Sequence, residues 1–180
     1  MTGSIPEGRG RIARIEDEAV DADLDLKLRR MLSTCFTKPG DEIFRTRRYF
    51  EVPPSWRWCI GGGGHLIAHA AAHDLSIRMG SNRFRVLGVA EVCVEPASRG
   101  RGLVRELLDA IHDFGLDEGF DFAMLFGRPR VYRSSGYEAA DRPVHVTGAD
   151  GARTARDDAM FRPLAGAIPV GECEVDGPAF

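Results

Sequence analysis

The stretch VAEVCVEPASRGRGLVRELLDA, residues 89–110, constrains this chain more than any other. Its first part alternates valine with small or acidic residues up to Val94, the pattern of a half-buried strand. Pro96 then removes a backbone donor and ends ladder bonding. Gly100 and Gly102 alternate with Arg99 and Arg101, and from Leu103 apolar residues return at helical spacing through Leu107, Ile111 and Phe114. A strand, a glycine-rich turn and a helix in that order aim successive backbone N–H groups at one point, and the helix dipole adds to their pull. The two arginines add charge-assisted contacts. The unit reads as a cradle for a pyrophosphate. It is neither a P-loop nor a Rossmann fingerprint, because GxxxxGK[ST] and GxGxxG are both absent.

The bulk numbers set the frame. With 180 residues, 43% hydrophobic and 28% charged, the chain is expected to form one domain over residues 1–180 with a real core. Its first ten residues, rich in Gly and Pro, are expected to be loose. A net charge of −3 gives no reason to expect a nucleic-acid partner. No apolar run reaches membrane-spanning length and the N-terminus carries no signal-peptide core, so no membrane partner and a cytoplasmic location are expected. Cys35, Cys59, Cys93 and Cys173 lie far apart without CxxC spacing. They read as reduced, mostly buried thiols rather than a zinc site or a disulfide framework.

Around the opening stretch the pattern predicts a helix from Asp21, with Leu24, Leu28, Met31, Leu32 and Cys35 on one stripe. A shorter helix is predicted from Gly40, stopped by VPP. Trp56–Ile60, His65–Met79 and Phe84–Glu95 read as a β meander, with the GGGG run from Gly61 to Gly64 as a hairpin connection. Gly119 stops the long helix, Phe122–Gly127 is a short buried strand, and PRVYRSS opens a short helix on Pro129. GYEAA, PVHVTG and DAMFRPL read as two or three closing strands. That order describes a mixed α+β domain, not an alternating α/β one.

Arg99-Gly100-Arg101-Gly102-Leu103-Val104 resembles the acetyl-CoA loop of the GNAT N-acetyltransferase family, (Q/R)xxGx(G/A), with Val104 in place of the final small residue. VYRSSGYEA, one helix and one strand later, resembles the family's YxxxG(F/Y). The resemblance covers about residues 56–147. It implies a twisted, mixed, mostly antiparallel sheet flanked by helices and splayed between the strand ending near Val94 and the strand from Phe122 to Gly127. It also implies acetyl-CoA as cosubstrate and no metal. The pantetheine arm would pair with the backbone of Val92, Cys93 and Val94, and the pyrophosphate would rest on the N–H groups from Arg99 through Val104. The implied activity is acetyl transfer to a primary amine of a small molecule by direct attack in a ternary complex. Homodimers are common in the family, which makes a second copy of this chain a candidate partner. Within the family, LIAHAA, RGxxLVxxLLDA, YxSxG(Y/W) and TARDDAMFRPL are similar to the aminoglycoside 2′-N-acetyltransferases, which bind a polycationic sugar with carboxylates. Asp157, Asp158, Glu172, Glu174 and Asp176 are acidic residues of the matching kind. That subfamily has Glu where this chain has Ala90, and a one-residue shift moves a side chain to the other face of a strand.

The chemistry needs two proton carriers. Amine attack on a thioester expels a thiolate, which a tyrosine hydroxyl can protonate. Tyr132 is the candidate, and the alternative is a packed tyrosine whose hydroxyl bonds backbone. The acceptor ammonium must first lose a proton. Glu91, a carboxylate inside an apolar strand, is the candidate base. The alternative places it on the solvent side, because Val92 and Val94 alternate with it. Asp74 and Glu95 are weaker options, beside a water relay. Cys93 reads as core rather than as an acyl nucleophile. His65, His69 and His73 share one face at four-residue spacing, but on a strand they lie about 13 Å apart, too far to hold one ion. They read as packing or acceptor-site residues. A non-catalytic acyl-CoA-binding module is the alternative function.

Overall fold

The computed structural model describes residues 12–62, 64–148, 151–165 and 171–176. The loose segment expected over residues 1–10 lies outside the described residues. Two compact units emerge, Met1–Ala72 with Glu91–Ala110, and His73–Ala90 with Ile111–Phe180.

In the first unit, β1 (Ile12–Glu16) runs antiparallel to β2 (Trp56–Gly62), with Ile12 opposite Ile60 and Glu16 opposite Trp56. β2 pairs antiparallel with the start of β3 (His65–Met79), Trp56 facing Ala72. The register slips between Ile60, opposite Ala68, and Gly61, opposite Leu66, which leaves Ile67 as the extra residue of a bulge. β4 (Asn82–Val94) delivers its last residues to this unit. α1 (Ala22–Cys35) starts where Asp21 Oδ1 accepts from the Leu24 N–H at 2.8 Å, and Asp23 and Asp25 suit the positive end of its dipole. Leu24, Leu28, Met31 and Leu32 bury its apolar stripe against Ile15, Phe44, Cys59, Leu66 and Cys93.

The short helix expected from Gly40 is only a 3-10 turn, Asp41–Arg45. The carbonyls that would continue a helix go to arginine side chains instead. Arg45 O accepts from Arg29 Nη1 at 3.1 Å and Arg48 O from Arg57 Nη2 at 2.9 Å. β1 itself was not expected, since IARIE shows neither strict alternation nor a continuous apolar run.

In the second unit the strands run in the order β6-β9-β5-β4-β3-β10-β7-β8, with β5 at Phe122–Phe126, β6 at Glu138–Ala139, β7 at Val144–Thr147, β8 at Arg153–Arg156, β9 at Ala159–Pro163 and β10 at Cys173–Asp176. β4 with β5 and β7 with β10 are parallel. β5 with β9, β6 with β9, β3 with β10 and β7 with β8 are antiparallel. The fold is thus mixed α+β with a mostly antiparallel sheet. Short charged β8 (RTAR) and β10 (CEVD) add to the two or three closing strands expected. α2 (Leu103–Asp117) ends at Gly119, whose φ of 74° puts it in the left-handed region. Within α2, Gly115 allows a close approach: a Cβ there would meet Leu164 Cδ1 at 2.8 Å and Leu87 Cδ2 at 3.2 Å. Ile77, Val86, Phe122, Met124, Val144, Phe161 and Val175 form the core.

Candidate active site

The turn after β4 is built as its residues dictate. Glu95 N–H donates to Ile67 O at 2.9 Å, and Pro96–Ser98 form one 3-10 turn. The Arg99 N–H goes to Pro96 O at 3.4 Å, so the amides open to a ligand begin after it. Gly100 and Gly102 have φ of 76° and 79°, which favours glycine, and a Cβ on either would meet nothing within 4 Å. The first helical bond of α2 runs from the Glu106 N–H to Gly102 O at 3.1 Å. The N–H groups of Leu103, Val104 and Arg105 therefore lack an intrahelical partner. Arg99, Gly100, Arg101 and Gly102 are exposed, and Leu103 and Val104 are half-buried. Val104 at the usual small position leaves its own N–H at the helix mouth. An exposed nest of amides at a helix N-terminus, flanked by two arginines, fits a pyrophosphate. The strand before it is partly buried: Val92 is half-buried, while Cys93 and Val94 are buried core. Val94 O accepts from Arg99 Nε at 3.2 Å and from Cys35 Sγ at 3.5 Å.

Glu91 is the one non-glycine residue with positive φ among the described residues, at 52°. A left-handed residue breaks strand alternation, and for a residue with a Cβ it costs roughly 1–2 kcal/mol. The solvent-facing alternative for Glu91 fails for this reason. Its side chain is 6% exposed. Glu91 Oε2 accepts from Arg57 Nη1 at 3.0 Å and Oε1 from the Phe50 N–H at 3.2 Å. Burial lifts the carboxyl to about 7, against the pull of Arg57 and of the Phe50 N–H.

Arg57 is fully buried. It donates to Asp17 Oδ1 at 2.6 Å, to Glu91 and to Arg48 O, and its Nη1 lies 3.1 Å from His69 Nε2. A guanidinium only donates, so His69 Nε2 accepts. The His69 proton then sits on Nδ1 and is donated to Glu91 O at 3.1 Å. Burial first, then Arg57, holds His69 down at about 3, so this ring is neutral. Arg48 closes the cluster on Asp17 at 2.7 Å and Asp25 at 3.1 Å. Burial alone would raise Asp17, but Arg48 and Arg57 together keep its carboxyl below the usual range.

Sequence reasoning missed Arg57 and Asp17. The argument that singled out Glu91, a charge inside an apolar strand, applies equally to Arg57 between Trp56 and Trp58. His65 does not share a face with His69 as expected, while His69 and His73 are both buried. The bulge at Ile67 inverts the alternation between His65, which is exposed, and His69, which is buried. His65 lies 3.4 Å from Glu95, and Asp74 pairs bidentately with Arg85 at 2.7 and 3.1 Å.

In the second unit, Tyr132 ends α3 (Pro129–Tyr132) and is half-buried. Its ring lies over Gly127, where a Cβ would meet Tyr132 Cε2 at 2.5 Å and Cδ2 at 2.9 Å. The Tyr137 ring packs edge-on to it at 6.1 Å. Tyr137 is itself fully buried, and its hydroxyl lies 2.9 Å from His112 Nε2. Burial pushes the Tyr137 hydroxyl up and the His112 ring down to about 3, so both are neutral. Gly127 and Tyr137 thus wall the ring of Tyr132, with His112 behind Tyr137, and none of the three was marked as a site residue from sequence.

Residues 18–140 match the family model described as Acetyltransferase (GNAT) domain. A GNAT family N-acetyltransferase from Escherichia coli, in complex with CoA, superposes with a TM-score of 0.64 at 18% identity, over 96% of this chain and 93% of that one. A GNAT family acetyltransferase from Brucella melitensis in complex with acetyl-CoA gives 0.62 at 15% identity, over 91% and 94%. A GCN5-related N-acetyltransferase from Kribbella flavida gives 0.56 at 21% identity, over 76% of this chain but only 34% of that one. This chain therefore spans about a third of that longer relative. No curated protein matches the chain. Among the described residues no helix is long and apolar enough to cross a membrane.

Proposed function

The chain belongs to the acetyltransferase (GNAT) domain family, and on that premise we propose that it moves the acetyl group of acetyl-CoA to a primary amine of a small molecule by direct attack in a ternary complex. The observation that carries this reading is the exposed turn from Arg99 to Gly102, with its two left-handed glycines and two arginines, leading into the open amides of α2. When bound, acetyl-CoA supplies an activated acyl thioester. Arg99 and Arg101 neutralise its diphosphate, the amides from Gly100 to Val104 hold it, and the backbone of Val92, Cys93 and Val94 lines the pantetheine. Tyr132 donates a proton to the leaving thiolate, with its ring fixed over Gly127.

Glu91 takes the proton of the acceptor ammonium. A carboxyl lifted to about 7 is half ionised near neutral pH and is a stronger base than an ordinary carboxylate. Both its oxygens are occupied and its side chain is buried, so the proton reaches it through water. On this reading kcat/KM rises with pH through about 7, and Glu91→Gln removes that limb. A limb unchanged in Glu91→Gln returns the base role to Asp74, Glu95 or water alone.

The narrower aminoglycoside reading asks for carboxylates that can meet a polycation. Asp158 already pairs with Arg156 at 2.8 Å, Glu174 with Arg78 and Arg153, and Asp176 with Arg83 at 3.2 Å. That favours the broader acceptor class. The test is a thiol-release screen with acetyl-CoA against aminoglycosides, polyamines, amino acids and peptides. Release with a small amine supports the reading. CoA binding without release from any amine favours a non-catalytic acyl-CoA module. In the active assay, Tyr132→Phe lowers kcat and leaves acetyl-CoA affinity nearly unchanged; a wild-type rate removes Tyr132 from the mechanism.

A further inference from the structure

Two of the four thiols stand together in the first unit. Cys35 ends α1 and Cys93 is the next-to-last residue of β4, both in one apolar cluster. Cys35 packs against the apolar cluster in which Cys93 is buried, and its thiol faces the end of β4. Cys35 Sγ also lies 3.5 Å from Val94 O, the carbonyl that Arg99 Nε reaches from the other direction at 3.2 Å. Cys35 is half-buried and lines a cavity of about 210 Å³ with Met31, Thr34, His65, Leu66 and Glu95. Cys93 is 6% exposed. One sulfur is therefore open to a small reagent and the other waits behind it.

From this placement we propose that Cys35 and Cys93 are a dithiol modification site for small hydroperoxides, with Cys35 as the attacking thiol and Cys93 as the resolving one. The acidity of Cys35 suits an attacking thiol. The neighbouring Cys93 thiol, with the nearby Arg99 charge and against burial, lowers Cys35 to about 7. The same contact and burial push Cys93 well up. Cys59 and Cys173 are buried, and neither lines the cavity that opens onto Cys35.

The chemistry balances without a further reagent. The Cys35 thiolate attacks one oxygen of the hydroperoxide. A sulfur–oxygen bond forms, the oxygen–oxygen bond breaks and an alcohol, or water from hydrogen peroxide, leaves. The Cys93 sulfur then attacks Cys35 sulfur, a disulfide forms, and the sulfenic oxygen departs as water with the Cys93 proton. Two thiols lose two electrons and the peroxide gains them. The bond ties the end of α1 to Cys93 beside Val94. Its effect on acetyl-CoA rests on the functional reading above, in which Val92–Val94 and Arg99 hold that molecule, and it weakens binding there.

The experiment treats the full chain with stoichiometric hydrogen peroxide and maps disulfides by mass spectrometry without reduction. The expected product is a Cys35–Cys93 cross-linked peptide pair, two hydrogens lighter than the thiols, with Cys59 and Cys173 still alkylated after denaturation. Cys93→Ser should stop at a dimedone-reactive Cys35, and Cys35→Ser should form no disulfide. Calorimetry on the oxidised protein should show acetyl-CoA affinity weaker by about tenfold, restored by dithiothreitol. A free Cys35 thiol after treatment, or a cross-link through Cys59 or Cys173, overturns the site. A Cys35–Cys93 bond with unchanged acetyl-CoA affinity overturns its effect on binding. Failure of the reduced protein to bind acetyl-CoA overturns the functional reading instead, and leaves the dithiol site standing on the mapped bond.

Discussion

Arg57 and Tyr137 are both fully buried, yet the first unit keeps its buried group charged and the second keeps its own neutral. Around Arg57 the compensation is ionic: Asp17 at 2.6 Å and Glu91 at 3.0 Å, with Arg48 O and neutral His69 taking the remaining contacts. Around Tyr137 there is one neutral contact, to His112, and the ring makes the rest of its contacts by packing. His112 Nδ1 has no hydrogen-bond partner among the described residues. A buried charge is tolerable only while every partner remains, whereas a buried neutral pair loses little more than one hydrogen bond. The ionic cluster also grips the backbone at Glu91, where φ is 52°. The neutral pair packs on the ring of Tyr132.

The sharpest way to break this contrast is Arg57→Met. It leaves Asp17 and Glu91 without their buried counter-charge and should cost about 3–5 kcal/mol in urea unfolding. Loss of under about 1 kcal/mol would mean the cluster is not ionic in the folded protein. Next is Gly127→Ala, which drives a methyl into the Tyr132 ring. It should cost about 1–3 kcal/mol and lower kcat about tenfold, with acetyl-CoA affinity unchanged. Equal loss in the Tyr132→Phe background would show that Gly127 does not act through the phenol. Tyr137→Phe is smaller, about 1–2 kcal/mol, and His112→Phe added to it should cost less than the sum of the two single changes. A Tyr137→Phe cost above that of Arg57→Met would reverse the comparison.

The smallest effect is on the pH dependence of stability. Glu91 is raised in the folded state from 4.5 to about 7. The folded state therefore binds its proton more tightly, and the stability this contributes is full below 4.5 and lost as pH rises through about 7. Glu91→Gln should remove that decline, so its melting temperature relative to wild type climbs across this window. His69 runs the other way: held down at about 3 from 6.5, it withdraws stability as pH falls through that range in both proteins. Parallel melting curves would place Glu91 in a more solvated setting than its burial implies.

What the sequence revealed follows from how local each feature is. The strand, turn and helix around Arg99–Val104 were legible because Pro96, Gly100, Gly102 and the Leu103, Leu107, Ile111 spacing act within one stretch of chain. α1 was legible for the same reason, from its Asp21 cap and its apolar stripe. The cluster around Arg57 was not, because β2, β3, β4 and the segment from Arg48 to Phe50 bring its members together across the chain. The faces of Glu91 and His69 depend on one left-handed residue and one bulge, and regular alternation predicts neither. β1, β8 and β10 are short segments carrying charges, and pairing rather than pattern makes them strands. Gly127 was read as the end of a strand, since only the folded ring of Tyr132 shows what a Cβ would strike.

The most direct test is a calorimetric titration of the wild-type chain and of the Arg99→Ala, Arg101→Ala double variant with acetyl-CoA. The expected result is saturable binding of one acetyl-CoA per chain, weaker by about 10–100-fold in the variant through loss of two charge-assisted contacts. Absence of binding at millimolar acetyl-CoA, or equal affinity in the two proteins, would contradict the assignment of this turn as the pyrophosphate cradle.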